Sequence, residues 1–325
     1  MMEKSAIGID LGGTNLKGII ISPDGKGRHL TRVPTEAEKG GSFVMKNILS
    51  LIDQLIEKEG SKENILGIGI GTPGFVSEEG IVDGAENLPG WKGTRMYDPV
   101  FEKFGLKAIG ANDATVAALA EARYGSGRGV ANMVLLTLGT GIGGGIVINH
   151  KLFTGRFGMA GELGHIIVET NGIQCNCGLK GCVERYSSAT GHVTLAKMFC
   201  DSVPEDQATE FTQLVHEHPE QLSSKRIYDF VESNDPFALK VHETASEMLG
   251  RLVGILCNFL SPDMVILGGG VTKSGKIITD TVAKYASKNC WPMIWDKCSL
   301  TIAQLGEDAG VLGAGAMVFD AYGNE

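Results

Sequence analysis

Between Gly161 and Glu184 the chain reads G-E-L-G-H-I-I-V-E-T-N-G-I-Q-C-N-C-G-L-K-G-C-V-E, and this stretch restricts the fold more than any other. His165, Cys175, Cys177 and Cys182 bring one imidazole and three thiols into a single loop. Such a set suits tetrahedral zinc, and Asn176, Gly178 and Gly181 give the chain the tight turns needed to aim three sulfurs at one point. The spacing differs from the C-x2-C of a zinc finger, so a loop of buried free thiols is the competing reading. A closed, structural zinc site is the expectation. Glu162 lies three positions before His165 and Glu184 two after Cys182, so two carboxylates bracket the ligands. Zinc on one ring nitrogen of His165 would leave the other as a fixed N–H donor, able to read a hydroxyl.

G-E-x-G-H followed by C-x-C-G-x-x-G-C-x-E resembles the ROK family of sugar kinases and repressors, whose members are alike over nearly the whole chain. The resemblance implies an α/β fold, the two-domain actin-like ATPase (ribonuclease H-like) architecture with a cleft between domains. It also implies an N-terminal domain over residues 1–118, on which a C-terminal helix at 306–325 packs back, and a larger domain over 119–305 that carries the thiol loop.

With 325 residues and a hydrophobic share of 43%, the chain can bury two cores. No apolar run approaches the ~20 residues of a membrane span, and the N-terminus lacks the layout of a signal peptide, so no membrane partner and a cytoplasmic location are expected. Seven cysteines fit a reduced compartment, with Cys200, Cys257, Cys290 and Cys298 scattered beyond the loop. A net charge of -9 argues against a nucleic-acid partner. Phosphate would have to be held by backbone N–H groups and a divalent cation instead, and 46 glycines favour such contacts.

Residues 7–10 read as a buried strand ending in Asp10, Gly12-Gly13-Thr14 as a turn, and residues 18–21 as the returning strand. A P-loop would run from strand into helix and carry Gly-Lys-Ser/Thr, which is absent. A plain hairpin is one reading. D-x-G-G-T-x-x-K, ending in Lys17, resembles instead the first phosphate loop of actin-like ATPases and sugar kinases, where glycine amides meet phosphate and the aspartate faces hydrated magnesium. Residues 134–138, Gly139-Thr140-Gly141 and residues 145–148 repeat the plan, as two related halves would.

Apolar residues at 43, 44, 48, 51, 52, 55 and 56 predict a helix over 42–60. Residues 65–70 read as a strand, with the loop Gly71-Thr72-Pro73-Gly74 at its carboxyl end, where ligands of open α/β sheets sit. In the next loop Trp91 is taken as a packing anchor and Asn87 as a ligand. Asn112 and Asp113 end a short strand and open a helix over 114–124. Capping explains them on sequence grounds. The family resemblance makes Asp113 the general base for the accepting hydroxyl.

Residues 200–235 look acidic, polar and irregular, with short amphipathic pieces at 211–215 and 227–231 and with His216 and His218 on the surface. A long helix over 239–260 is stopped by Pro262, and residues 264–267 form a strand running into Gly268-Gly269-Gly270. That run is either a strand-to-helix turn or, by resemblance, the adenosine side of a nucleotide site. Residues 309–322 make a small-residue helix.

Taken together, the resemblance implies ATP-dependent phosphorylation of the 6-hydroxyl of a hexose, glucose first. Asp113 would be catalytic, and Gly74, Asn87, Asn112, Asp113, Glu162, His165 and Glu184 would bind sugar. Asp10, Gly12, Gly13, Thr14, Lys17, Gly139, Thr140, Gly141 and Gly268 to Gly270 would hold ATP and magnesium, with zinc on the four loop ligands. An N-acetylglucosamine or N-acetylmannosamine kinase is one alternative. A sugar-responsive repressor is another, set aside because the first strand begins at Ile7 and leaves no room for a winged helix; an inactive sugar-binding module is a third. A homodimer or tetramer is implied by the family.

Overall fold

The computed structural model describes residues 4–85, 88–201 and 203–323, so the expected sugar ligand Asn87 lies outside the described residues. Three antiparallel strands open the chain: β1 (Ser5–Leu11), β2 (Asn15–Ile21) and β3 (Gly27–Pro34). β1 and β2 form the expected hairpin. β3 is mostly solvent-facing, so it lacked the apolar alternation by which it could have been read.

Helix α1 (Gly41–Glu59) buries Val44, Met45, Ile48, Leu51, Ile52 and Leu55, one stripe at helical spacing. Leu51 and Leu55 close over Gly18, where an added Cβ would come within 3.0 Å of both. Ile48→Ala at the centre of this stripe would cost about 2–5 kcal/mol. Gly60, in the left-handed region at φ 82, ends the helix by donating to the Ile56 and Glu57 carbonyls.

Beyond it come β4 (Ile65–Thr72), the small ribbon of β5 (Phe75–Val76) and β6 (Val82–Asp83), α2 (Tyr97–Phe104), β7 (Ala108–Asn112) and α3 (Asp113–Tyr124). The first sheet has the order β3-β2-β1-β4-β7, with β1, β4 and β7 parallel.

Strands β8 (Met133–Leu138), β9 (Ile142–Ile148) and β10 (Lys151–Leu152) follow. The helices α4 (Glu184–Ser187), α5 (Ala189–Cys200), α6 (Glu210–Glu217), α7 (Ser224–Glu232) and α8 (Pro236–Leu260) come next. The short amphipathic pieces expected at 211–215 and 227–231 are two capped helices. Thr209 and Thr212 form a reciprocal cap on α6, and Ser223 accepts from the Arg226 N–H to start α7. His216 and His218 are exposed, as expected.

Strand β11 (Met264–Gly268), α9 (Lys276–Asn289), α10 (Pro292–Trp295), β12 (Ser299–Ile302) and α11 (Ala309–Tyr322) complete the chain. The second sheet has the order β10-β9-β8-β11-β12, with β8, β11 and β12 parallel. Gly250 and Gly254 let α8 lie against α9: a Cβ at either would come within 2.7 Å of Tyr285 or Asn289.

The chain divides into two compact units, residues 1–131 with 145–161 and 304–325, and residues 132–144 with 162–303. A boundary between 118 and 119 would fall inside α3, which groups whole with the first unit. The reason is the small-residue face of α11. A Cβ on Gly8 would lie 2.0 Å from the Val311 carbonyl oxygen, on Gly69 1.8 Å from that of Ala314, and on Gly313 1.8 Å from that of Val116. Helix α11 thus rests directly on the backbones of β1, β4 and α3. Among the described residues no helix is long and apolar enough to cross a membrane.

Candidate active site

In the first unit, parallel pairing sets the carboxyl ends of three strands level. Asp10 is in register with Gly71, Gly71 with Ala111, and Thr72 with Asn112, so Asp10, Asn112 and Asp113 share one edge of the sheet. Burial raises the Asp10 carboxyl to about 6, with Lys17, its cross-strand partner, pulling it down and Asp113 pushing it further up. Burial likewise raises Asp113 above the ordinary aspartate value, against the opposing hydrogen bond from the Ala114 N–H. Two carboxylates that act on one another at the same sheet edge favour a cation beside them.

Capping turns out to be shared. Asn112 Oδ1 and Asp113 Oδ1 accept from the same Ala114 N–H at 3.0 and 2.7 Å, while Asn112 Nδ2 donates to the Gly74 carbonyl at 3.1 Å. Gly74 has φ 85, and a Cβ there would meet the Asp83 carbonyl at 2.3 Å. Its contribution is to hold Asn112 through its backbone. Trp91 is fully buried, its indole N–H donating to Thr72 Oγ1 at 2.8 Å, which rules out stacking on a sugar.

The turn after β1 is closed by Gly12 N–H donating to the Asn15 carbonyl, and Thr35 donates to the Gly12 carbonyl at 2.6 Å. Gly13 has an ordinary φ and nothing within 4 Å of an added Cβ. Open space, not backbone conformation, is therefore what glycine provides there, and Thr14 is exposed beside it. Lys17 Nζ donates to the Glu307 carbonyl at 2.8 Å. Sequence reasoning missed Gly310, where a Cβ would lie 2.6–2.9 Å from the Asp10 carboxyl atoms. Its only trace was a glycine in the first turn of the last helix. A groove of about 1010 Å³ in the same unit runs past Tyr97, Arg123 and Met317 and includes none of the expected site residues.

In the second unit, Gly139 N–H donates to the Gly141 carbonyl at 3.0 Å, closing a second turn, and a Cβ on Gly139 would meet only the Gly141 carbonyl oxygen, at 4.0 Å. The first turn of α5 braces it: Ala189 N–H donates to the Gly139 carbonyl at 2.8 Å and Thr190 Oγ1 to that of Thr140 at 2.7 Å. Neither residue was singled out from sequence. Glu184 Oε2 accepts from the Ile142 N–H at 3.0 Å, so this carboxylate serves the turn as well as the loop. Within the glycine triplet, Gly269 is left-handed at φ 91, with the Leu138 carbonyl 2.5 Å from where a Cβ would be. That packs the triplet against the end of β8, next to Gly139. Gly270 has open space around it.

The thiol loop closes as its residue types suggested. Gly178 and Gly181 adopt φ 93 and 79, whereas Asn176 has no left-handed backbone, and Cys175 N–H donates to the Leu179 carbonyl at 2.8 Å. The ligand atoms of His165, Cys175, Cys177 and Cys182 all lie within 4.8 Å of one another. Cys177 and Cys182 sulfurs are 3.7 Å apart, and Cys175 Sγ is 3.7 Å from His165 Nδ1. Tetrahedral bonds of ~2.3 Å to sulfur give edges of about 3.8 Å, which the two 3.7 Å pairs match, so the chemistry of the set fits zinc. Burial, then the neighbouring thiols, pushes Cys182 up to about 12; three clustered thiolates require a cation. His165 Nε2 points away from the sulfurs, 3.8 Å from Glu162 Oε2.

A family model described as the ROK family matches residues 6–321. A protein of Halalkalibacterium halodurans named glucokinase is 36% identical over 98% of this chain and 96% of its own. Another of that name, from Thermotoga maritima, is 33% identical over 99% of this chain and 100% of its own. Among solved structures, a ROK family glucokinase from Streptomyces griseus, described as in complex with glucose and AMPPNP, superposes with a TM-score of 0.78. It is 30% identical and covers 99% of this chain and 100% of its own. The α/β, two-domain actin-like architecture expected from the resemblance is borne out. Sequence motif, strand order and full-length similarity agree: the chain belongs to the ROK family.

Proposed function

We propose that this protein transfers the γ-phosphoryl group of ATP to the 6-hydroxyl of a hexose, glucose being the preferred acceptor. Full-length similarity to proteins named glucokinase supports the reading, as does the Streptomyces griseus structure with its sugar and nucleotide analogue. The observation that carries it is the placement of Asp113, a solvent-accessible carboxylate with a raised pKa, levelled with Asp10 at the ends of parallel strands.

Phosphoryl transfer asks for positioning and charge neutralisation more than covalent chemistry. Backbone amides of the Gly12–Thr14 and Gly139–Gly141 turns cradle phosphate oxygens, with open space at Gly13 and no clash for an added Cβ at Gly139. Lys17 adds a positive charge on the strand beside Asp10, and the Gly268–Gly270 run gives the adenosine a flat approach. Asp10 would hold magnesium, which would neutralise phosphate charge. Asp113 takes the proton of the 6-hydroxyl as its oxygen bonds to the γ-phosphorus and the bond to the ADP oxygen breaks. Gly74, Asn87, Asn112, Glu162, His165 and Glu184 orient the sugar, Gly74 by way of its bond to Asn112.

His165, Cys175, Cys177 and Cys182 would hold zinc, which would stiffen the loop. With Nδ1 directed to the sulfurs, His165 presents its Nε2 to a hydroxyl as a donor, and Glu162 lies close enough to share that hydroxyl. A site of fixed polar partners rejects sugars that leave one of them unpaired.

An ADP-release assay against glucose, mannose, fructose, N-acetylglucosamine and N-acetylmannosamine tests the reading. The highest kcat/KM is expected with glucose. A preference for either N-acyl sugar reassigns the substrate, and no sugar-dependent ADP release overturns the kinase assignment.

A further inference from the structure

Three of the four cysteines outside the thiol loop, far apart in sequence, converge. Cys257 lies on α8, Cys290 follows the last residue of α9, and Cys298 immediately precedes β12. The sulfurs of Cys257 and Cys298 are 3.7 Å apart, with Cys257 donating to Cys298. Cys290 is the third neighbour, its thiol donating to the Trp291 carbonyl at 3.5 Å.

The pair is asymmetric. Cys257 is fully buried and Cys298 is partly open to solvent. The hydrogen bond from Cys257 lowers the Cys298 thiol below its ordinary value and the Val265 N–H assists it, while burial and Asp263 oppose it; the Cys298 thiol itself donates to the Ser299 carbonyl at 3.7 Å. Cys257 is pushed far up, first by the same bond and then by burial. A partly exposed sulfur in contact with a fully buried one is the arrangement of an attacking and a resolving thiol.

We propose that Cys298 and Cys257 form a peroxide-reactive dithiol that closes to a reversible disulfide. The Cys298 sulfur attacks the O–O bond of a hydroperoxide, which leaves as alcohol or water, and Cys298 becomes a sulfenic acid. The Cys257 sulfur then bonds to Cys298, and the sulfenic oxygen departs as a second water with the thiol proton. Two thiols lose two hydrogens and two electrons, and the hydroperoxide takes them up. The bond, of ~2.05 Å, would tie α8 to the start of β12.

The test is thiol mapping on the purified full chain after hydrogen peroxide, with alkylation of remaining thiols, digestion and mass spectrometry. The expected product is a Cys257–Cys298 crosslinked peptide, two hydrogens lighter than its reduced parts and cleaved by dithiothreitol. In Cys257→Ser, dimedone should trap the Cys298 sulfenic acid; in Cys298→Ser, Cys257 should stay reduced. A Cys257–Cys290 bridge overturns the proposal, and so does Cys298 oxidation in the wild type without crosslinking. Oxidation confined to Cys175, Cys177 and Cys182 does the same. Wild-type mapping decides these outcomes even where a serine variant fails to fold.

Discussion

The Glu184 carboxylate accepts a hydrogen bond from the Ile142 N–H at 3.0 Å, so the residue two places after the last cysteine of the thiol loop also braces the Gly139–Gly141 turn. One side chain links the part of the second unit proposed to read sugar with the part proposed to hold phosphate. Gly141 leaves it room: a Cβ there would sit 2.4 Å from Glu184 Oε2.

Gly141→Ala should therefore displace Glu184 while leaving the fold intact, because the clashing atom is the end of a flexible side chain. Steady-state kinetics should show KM raised for both ATP and sugar, with kcat/KM down roughly 10–100-fold, about 1.4–2.7 kcal/mol of lost transition-state stabilisation. A rise in the nucleotide KM alone would mean that Glu184 serves only the turn.

The thiol loop should carry about one zinc per chain by metal analysis. Cys182→Ser removes a buried ligand and should lower zinc content, thermal stability and sugar affinity together, since His165 then loses its fixed tautomer. A metal-free wild-type chain with an unchanged sugar KM would refute the scaffold role.

Buried polar groups in the second unit give a pH effect with a definite sign. His192 Nδ1 lies 2.8 Å from the Ser188 carbonyl and Nε2 3.3 Å from Tyr228 Oη; that hydroxyl is 3.2 Å from His242 Nδ1, and His242 Nε2 is 3.0 Å from Thr281 Oγ1. Burial depresses His192 to about 4, and His242 also falls, mainly by burial, with Glu243 and Lys284 acting on it in opposite senses. Between the ordinary value of 6.5 and about 4, the unfolded chain binds a proton that the folded chain refuses at His192. Stability conferred by neutral His192 is complete above that window and falls by up to ~3 kcal/mol as pH drops through it. Denaturant unfolding of wild type and His192→Gln should show the wild-type advantage shrinking by about 2–3 kcal/mol from neutral pH to pH ~4.5. A pH-independent difference would contradict the assignment.

Much of this was legible in the residues. The hairpins, α1, α3, α8 and α11 follow from apolar spacing, turn glycines and Pro262, and the thiol loop from its ligand types. What escaped was held by contacts that leave no local pattern. β3 pairs along a solvent-facing edge, so its side chains alternate little. α9 did carry Ile278, Val282 and Ala286 at helical spacing, a stripe that went unread. Glu184 looked like a sugar ligand alone because its bond to Ile142 spans a chain separation that sequence cannot close. The same holds for Gly310 beneath Asp10, and for Cys257, Cys290 and Cys298, which looked scattered until the fold brought them together.

The most direct measurement is glucose-dependent ADP release by Asp113→Asn beside a calorimetric titration of the same variant with glucose. Asparagine keeps the Oδ1 acceptor toward Ala114 and removes the base, so turnover should drop by roughly 10²–10⁴ while glucose still binds. Near-wild-type turnover in a correctly folded Asp113→Asn protein would contradict the role given to that carboxylate, and with it the proposed reaction.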